Sequence, residues 1–213
     1  MRNPEVLITA GGTQEFIDDV RYIGNLSGGR LGVALANAYA MTGVSVTLLA
    51  PNSAIQRFKV HDSVQHLPFK TTAELDENLN FIESAGIIYQ AAAIADYTPV
   101  RASGKIDSSH DTLTITMQRN KKILPTLRQR FGEGTTIVGF KLLSGVKEDQ
   151  LAAAALKQIT TAQTDYCVAN DLQHLGTRRK VTLYANGAQD GIEIVGSSKD
   201  VAKALRKHVQ KRV

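Results

Sequence analysis

A single cysteine, Cys167, in 213 residues cannot form a disulfide within its own chain and fits a reducing compartment. The histidines His61, His66, His110, His174 and His208 are scattered. None stands at metal-ligand spacing from another or from Cys167, which excludes a tight His/Cys metal site. There is no Gly-x-Ser-x-Gly elbow to present a serine nucleophile between strand and helix. No apolar run reaches the roughly 20 residues of a membrane span, and no long apolar core of a signal peptide opens the chain. No Pro/Gly/Ser-rich linker divides it. With 43% hydrophobic residues the chain can bury a sizeable core. The expectation is one domain over residues 1–213, cytoplasmic and not membrane-bound.

The net charge is +5. Much of the excess lies in Lys199, Lys203, Arg206, Lys207, Lys211 and Arg212, within one helical stretch. A helix C-terminus favours positive charge. The excess therefore reads as a solvated helical face, and no nucleic-acid partner is expected.

Apolar runs of strand length alternate with helical patterns. Strands are predicted over Glu5–Ala10, Ser45–Ala50, Val64–Leu67, Ile87–Ala95, Thr136–Phe140 and Tyr166–Ala169. The run Ile87–Ala95 is continuous, as in a strand buried on both faces of a parallel sheet. Leu113–Met117 alternates like an antiparallel edge strand, and Val181–Ala185 with Ile192–Val195 reads as a hairpin around Asn186-Gly187. Helices are predicted over Arg30–Met41 (Leu31, Leu35 and Ala38 inward) and Thr71–Ala85, capped by Thr72, with Leu75, Leu79 and Ile82 as its stripe. Others span Ile123–Phe131, Lys147–Ala162 and Lys199–Arg212. Strand-helix-strand repetition predicts an α/β, Rossmann-like three-layer fold with a mainly parallel sheet and a small antiparallel edge. Ligands in such folds bind beyond the carboxyl ends of the strands. That directs attention to Gly11-Gly12-Thr13, Asp96-Tyr97, Phe140-Lys141 and Asn170-Asp171.

The first strand opens into Gly11-Gly12-Thr13, and a polar loop leads to Asn25-Leu26-Ser27-Gly28-Gly29-Arg30 at a helix start. Glycine-bared amides at such a start form an anion site, with hydroxyls from Thr13 and Ser27. The dinucleotide fingerprint needs a direct strand-to-helix turn with three glycines, and the Walker motif needs Gly-Lys-Ser/Thr; neither is present. The tiny residues Ala91–Ala95 let a flat ligand lie against the backbone. Asp96 beyond them suits a ribose hydroxyl or a metal, or simply begins a loop. Lys105 lies in a polar segment, Arg101–Asp111, that reads as a mobile loop, where a lysine can reach a phosphate as a point charge. Asn170-Asp171 reads first as a turn.

Together these pieces resemble the phosphopantothenoylcysteine synthetases. That family carries a motif like Thr-Ala-Gly-Gly-Thr-x-Glu-x-Ile-Asp-x-Val-Arg-Tyr-Ile-x-Asn-x-Ser-x-Gly. Residues 9–28 follow it position by position from Thr9 to Ser27, including Glu15, Asp18, Arg21 and Asn25. The family's Ala-Ala-x-x-Ala-Asp-Tyr run appears as Ala92 to Tyr97. Val138-Gly139-Phe140-Lys141, Val168-Ala169-Asn170-Asp171 and Val181-Thr182-Leu183 come after it in order. Of a common Lys-x-Lys-Lys cluster only Lys105 is kept, and Asn120-Lys121-Lys122-Ile123 stands where Asn-Pro-Asp-Ile is common. Many bacterial relatives are fused to a flavin-dependent decarboxylase; the length of this chain suggests a free-standing synthetase.

The resemblance implies a ligase of coenzyme A biosynthesis that joins 4′-phosphopantothenate to L-cysteine. CTP, more than ATP, is the expected co-substrate, with Mg²⁺, and the assembly a homodimer. It implies that Asn25 holds the acyl carbonyl and Lys105 neutralises the triphosphate. Gly11, Gly12, Thr13, Ser27, Gly28, Ala93, Asp96 and Phe140 would hold the nucleotide, with Asp96 also at the metal. Arg21 would take the phosphate of phosphopantothenate. The alternatives are a non-catalytic nucleotide-binding sensor and an NAD(P)-dependent reductase. Against the reductase, no acidic residue follows a Gly-x-Gly-x-x-Gly turn at the required distance.

Overall fold

The computed structural model describes residues 4–188 and 190–209. Its strands are β1 (Val6–Thr9), β2 (Gln14–Phe16), β3 (Tyr22–Gly24), β4 (Val46–Leu49), β5 (Gln65–Leu67) and β6 (Ile87–Gln90). They continue with β7 (Tyr97–Pro99), β8 (Met117–Arg119), β9 (Thr136–Leu143), β10 (Tyr166–Asp171), β11 (Arg179–Ala185) and β12 (Ile192–Gly196). The helices are α1 (Arg30–Ala40), α2 (Asn52–Arg57), α3 (Thr72–Asn80), α4 (Leu127–Phe131), α5 (Glu148–Ala162) and α6 (Ser198–His208).

Eight strands form one sheet in the order β12-β11-β10-β9-β6-β1-β4-β5. The six from β5 to β10 in that sheet are parallel, and β11 and β12 close one edge as an antiparallel hairpin. The expected Rossmann-like α/β architecture is thus present. The chain winds from β1 outward through β4 and β5, then returns to β6 and winds the other way. The strand order therefore reverses between β1 and β6, where the two carboxyl ends leave a crevice.

Alternation along the strands explains the layers. Val6, Ile8, Val46, Leu48 and Tyr89 meet α1 and α6 on one face. Leu7, Ile88 and Ile137 meet α3 and α4 on the other, and Cys167 and Ala169 meet α5. Burial on both faces is why the central strands read as unbroken apolar runs. Leu7 and Ile8 have no exposed surface, and each such side chain contributes about 1.5–3 kcal/mol. Gly32 allows α1 to lie close on β1: a Cβ there would come within 2.4 Å of the Ala10 Cβ.

Several elements differ from the sequence reading. Thr71, not Thr72, caps α3 by accepting from the Glu74 amide, and the helix ends at Asn80, not at Ala85. In α1 only Leu35 of the expected stripe is fully buried; Gly32, Ala36 and Tyr39 complete the inner face. The strand predicted over Ile87–Ala95 stops at Gln90. Beyond it the Ala92 amide donates to the Thr9 hydroxyl at 3.0 Å, so a side chain replaces the next rung of the ladder. Leu113–Met117 is not an edge strand; Met117 instead begins β8, which pairs with β7 in a separate arm. The last helix ends at His208, and Lys211 and Arg212 lie outside the described residues. Among the described residues no helix is long and apolar enough to cross a membrane.

Candidate functional site

The loops after β1 and β6 meet at the point where the strand order reverses. Gly12 and Ala93 form a parallel bridge beyond the strand ends. The Ala93 amide donates to the Gly11 carbonyl at 2.8 Å, and the Thr13 amide to the Ala93 carbonyl at 3.2 Å. Two glycines permit the packing above this bridge. Gly11 has φ +82°, and a Cβ on it would stand 2.7 Å from Pro51 Cδ. A Cβ on Gly12 would stand 2.5 Å from the Asn25 carbonyl oxygen. The Asn25–Gly28 segment therefore lies directly on the β1 loop and roofs a cleft of about 500 Å³.

Of the residues expected to bind ligand, Gly11, Gly12, Thr13, Asn25, Ser27 and Gly28 all line this cleft. Ala93, also expected at the nucleotide, does not line the cleft but is bridged to Gly12 beside it. Asn25 is exposed, and its Nδ2 makes a long 3.3 Å hydrogen bond to the Ala93 carbonyl. That weak contact leaves the amide donor able to turn to a ligand. Thr13 is fully buried, and its hydroxyl accepts from the Ala95 amide at 3.0 Å and from Thr72 Oγ1 at 3.3 Å. Thr13 thus fastens the two loops.

Arg21, Lys105, Asp96 and Phe140 do not line the cleft. The Arg21 guanidinium pairs with Asp18 at 3.2 Å and donates to the Ile106 carbonyl at 3.1 Å. Lys105 is exposed, in a segment that is held down: Asp19 accepts from Arg101 at 2.8 Å and from the Gly104 amide at 3.1 Å. Asp96 is exposed and ion-paired with Lys122 at 2.7 Å. Phe140 packs, half-buried, against the α1/α6 core. Lys121 and Lys122 line a second cleft of about 470 Å³ between the β7–β8 arm and α3. Asp171 accepts from the Val146 and Gln173 amides, and these bonds, Val146 first, hold its carboxyl below the ordinary range. It closes a turn, as its residue type suggested.

The cleft also contains residues the sequence did not single out: Tyr22 from β3 and Pro51, Ser53, Ala54 and Arg57 from the β4–α2 connection. The available signal was the carboxyl end of β4 at Ala50-Pro51. Its relevance depends on β4 lying beside β1, which a sequence does not display.

Mg²⁺ does not fit a protein-held site here. No carboxylate lines the cleft, and among the described residues no group of three His, Cys, Asp or Glu side chains can hold a metal ion. Asp96, expected at the metal, has Lys122 as its partner.

Asp18 is a further anchor of the 101–106 segment, at Ile106. It is fully buried and accepts from the Val20, Arg21 and Ile106 amides. Burial alone would raise its pKa. The Val20, Ile106 and Arg21 amides, then the Arg21 charge, outweigh this and hold it below the ordinary 3.8. A carboxylate depressed on folding stabilises above its unfolded value, and the effect is lost as pH falls through the folded value. Protection of the Ile106 amide from hydrogen exchange is expected to fall below about pH 4. Asp18→Asn should lower it on the order of tenfold already at neutral pH. Protection independent of both changes would mean the segment is anchored elsewhere.

The buried Cys167 thiol is pushed up to about 12 by burial. It is an unreactive packing group. Cys167→Ala is expected to leave ligand binding in the cleft unchanged and lose about 1–2 kcal/mol of stability. Nucleotide binding measured beside a urea transition checks this; a folded variant that no longer binds would give the thiol a role.

A doubly wound parallel sheet with a glycine-lined, carboxylate-free cleft at its switch point defines a Rossmann-like α/β protein equipped for an anionic ligand. The chain belongs to the DNA/pantothenate metabolism flavoprotein C-terminal domain family, whose profile matches residues 1–213. It is 32% identical over 214 residues to the coenzyme A biosynthesis bifunctional protein CoaBC of Thermococcus kodakarensis, covering 96% of this chain and 47% of that protein. The chain spans about half the length of the curated relatives it matches first. The DNA/pantothenate metabolism flavoprotein from Streptococcus pneumoniae superposes with a TM-score of 0.86 at 23% identity, covering 96% of this chain and 97% of that one. A mutant of Cab2 in complex with phosphopantothenate-cysteine superposes with a TM-score of 0.76 at 20% identity, covering 96% and 84%. At these identities the two structures speak for the fold.

Proposed function

We propose that residues 1–213 form one phosphopantothenate–cysteine ligase domain acting in coenzyme A biosynthesis in the cytoplasm, with CTP as co-substrate. The observation that carries this reading is the cleft itself. Bare backbone at Gly11, Gly12 and Gly28, the Ser27 hydroxyl and the Asn25 amide converge without any carboxylate to repel a phosphate. The relative named for coenzyme A biosynthesis and the Cab2 fold with its phosphopantothenate-cysteine ligand support the choice of substrates.

The chemistry is set by the group that must be activated. A carboxylate is a poor acyl donor because its oxygen does not leave. The carboxylate oxygen of 4′-phosphopantothenate attacks the α-phosphorus of CTP, the bond to the β-phosphate oxygen breaks, and pyrophosphate departs. The amine of L-cysteine then attacks the acyl carbon, the C–N bond forms, CMP leaves and the nitrogen gives up a proton. The glycine loops position the phosphates, and Asn25 donates to the acyl oxygen as it gains charge. Any Mg²⁺ would travel on the phosphate oxygens of the nucleotide.

A homodimer is part of the proposal. The β2–β3 and β7–β8 arms are joined by Thr98 donating to Glu15 at 3.1 Å and Ala102 to Ile17 at 2.9 Å. Between them they expose Val20, Tyr22, Ile23, Leu26, Tyr97, Val100 and Met117. An apolar surface of this kind beside a site suits a second copy of the chain.

The test is incubation with 4′-phosphopantothenate, L-cysteine and either CTP or ATP, with pyrophosphate as the readout. Release that requires phosphopantothenate is expected, faster with CTP. Release indifferent to phosphopantothenate, or none with either nucleotide, would exclude the ligase.

A further inference from the structure

The expected counter-charge for a triphosphate, Lys105, is absent from the cleft lining, and so are Lys121 and Lys122. One charged side chain is present there: Arg57, the last residue of α2. We propose that Arg57 is the phosphate clamp of this cleft, holding the phosphate chain of the nucleoside triphosphate. The clamp rests on reading the cleft as a nucleotide site.

The placement of Arg57 is a consequence of the topology. β4 lies next to β1, so the chain leaving β4 emerges beside the Gly11-Gly12 loop. Pro51 packs there, close enough that Gly11 has no room for a side chain. α2 starts directly after Pro51 and carries Arg57 along the cleft wall. Its Nη1 stands 3.3 Å from where a Cβ on Gly28 would be, so the missing side chain of Gly28 opens the way to the guanidinium. The Phe58 ring lies 3.8 Å from the same point, and the Arg30 guanidinium stands 4.9 Å from the centroid of that ring. Arg30 is thus committed to a ring. Arg57 is exposed and makes no hydrogen bond or ion pair with the described residues.

A guanidinium with free donors, facing bare backbone and no carboxylate, presents a planar fork that matches two phosphate oxygens at once. The ammonium of a lysine at this position would supply the charge without the fork.

The experiment measures binding of CTP and of inorganic pyrophosphate by calorimetry to the intact parent, Arg57→Gln, Arg57→Lys and Lys199→Gln. Lys199 is an exposed residue on α6 and serves as the control for net charge. Arg57→Gln is expected to bind both anions about ten- to a hundredfold more weakly. Arg57→Lys should fall between it and the parent, and Lys199→Gln should match the parent. In turnover the KM for CTP should rise in Arg57→Gln while the KM for L-cysteine stays unchanged. A parent that binds both anions beside an Arg57→Gln that binds them equally well overturns the clamp and leaves the ligase standing. Equal weakening in Lys199→Gln would reduce the effect to net charge and also overturn it. A parent that binds neither anion removes the nucleotide reading and the clamp with it.

Discussion

Asn25→Asp is expected to release about one equivalent of pyrophosphate per site and then stall, with the acyl-cytidylate accumulating. An amide side chain has no pKa near neutrality, so it cannot serve as a general base. It can donate to an oxygen that gains charge, and that oxygen appears when the cysteine amine makes the acyl carbon tetrahedral. Removing one such donor commonly costs about 10²–10³ in rate. Activation at the α-phosphorus draws on the glycine loops instead, so it should survive at saturating CTP, with the KM for CTP raised by the carboxylate that the substitution adds to the cleft. The position of Asn25 agrees with this division of labour. Its Nδ2 reaches the Ala93 carbonyl only at 3.3 Å, a contact that can be exchanged for a stronger one. The carbonyl of Asn25 meanwhile accepts from the Ser27 amide at 2.8 Å, so its backbone stays fixed when the side chain changes. The substitution preserves the size of the side chain and alters only the donor and the charge, so a change of shape does not confuse the result. The measurement is an acid quench of enzyme, 4′-phosphopantothenate and CTP, with and without L-cysteine, and then mass analysis. Consumption of the intermediate at the parental rate would show that Asn25 is not the acyl-transfer donor. Absence of any intermediate would move Asn25 to the activation step or to the folding of its loop.

The parts of this molecule that a sequence displays are those whose burial is symmetrical. Val6–Thr9 and Val46–Leu49 are buried along their whole length, so their composition alone marks them as central strands. The Gly11–Thr13 and Asn25–Gly28 segments read as a candidate site because glycine and small polar residues stand where strand and helix patterns break off, and they line one cleft. The β2 and β3 strands are invisible by the same logic. Each has three residues, and they are held by distant partners such as Glu15 accepting from Thr72 at 2.6 Å. Thr13 was readable as a polar residue near the site, but its hydroxyl is committed to Ala95, a contact set by where β6 ends. Arg57 was hidden twice over. α2, with six residues, is too short to show a period, and the neighbourhood of β4 and β1 exists only once the sheet has formed.

Arg128→Met is expected to lower stability by about 3–5 kcal/mol while leaving the affinities of the cleft unchanged. Arg128 is only 6% exposed. Its guanidinium donates to the carbonyls of Gly132 at 2.9 Å, Thr135 at 2.7 Å and Gln163 at 3.3 Å, and to the Asp165 carboxylate at 2.7 Å. Asp165 in turn accepts from the Ile137 amide at 2.7 Å. One side chain therefore ties α4 to the starts of β9 and β10. It also holds the carbonyl of Gln163, whose φ of 52° places a non-glycine residue in the left-handed region. The pair as a whole need not be worth more than apolar packing of the same volume. Removing the cation alone is different, because it takes the guanidinium away from a buried carboxylate and from three carbonyls at once. Arg128→Lys should recover little, since an ammonium cannot span four acceptors in a plane. Adding Asp165→Asn to Arg128→Met should recover a substantial part, since it removes the buried negative charge and keeps an acceptor for Ile137. All these groups lie where β9 and β10 begin, whereas the cleft lies where β1 and β6 end, at the opposite margin of the sheet. Urea transitions of the three variants, beside the KM for CTP at a temperature where each is folded, separate the two effects. A transition displaced by less than about 1 kcal/mol in Arg128→Met would show that the carboxylate finds another partner. A raised KM in a fully folded variant would show that the two margins of the sheet are coupled.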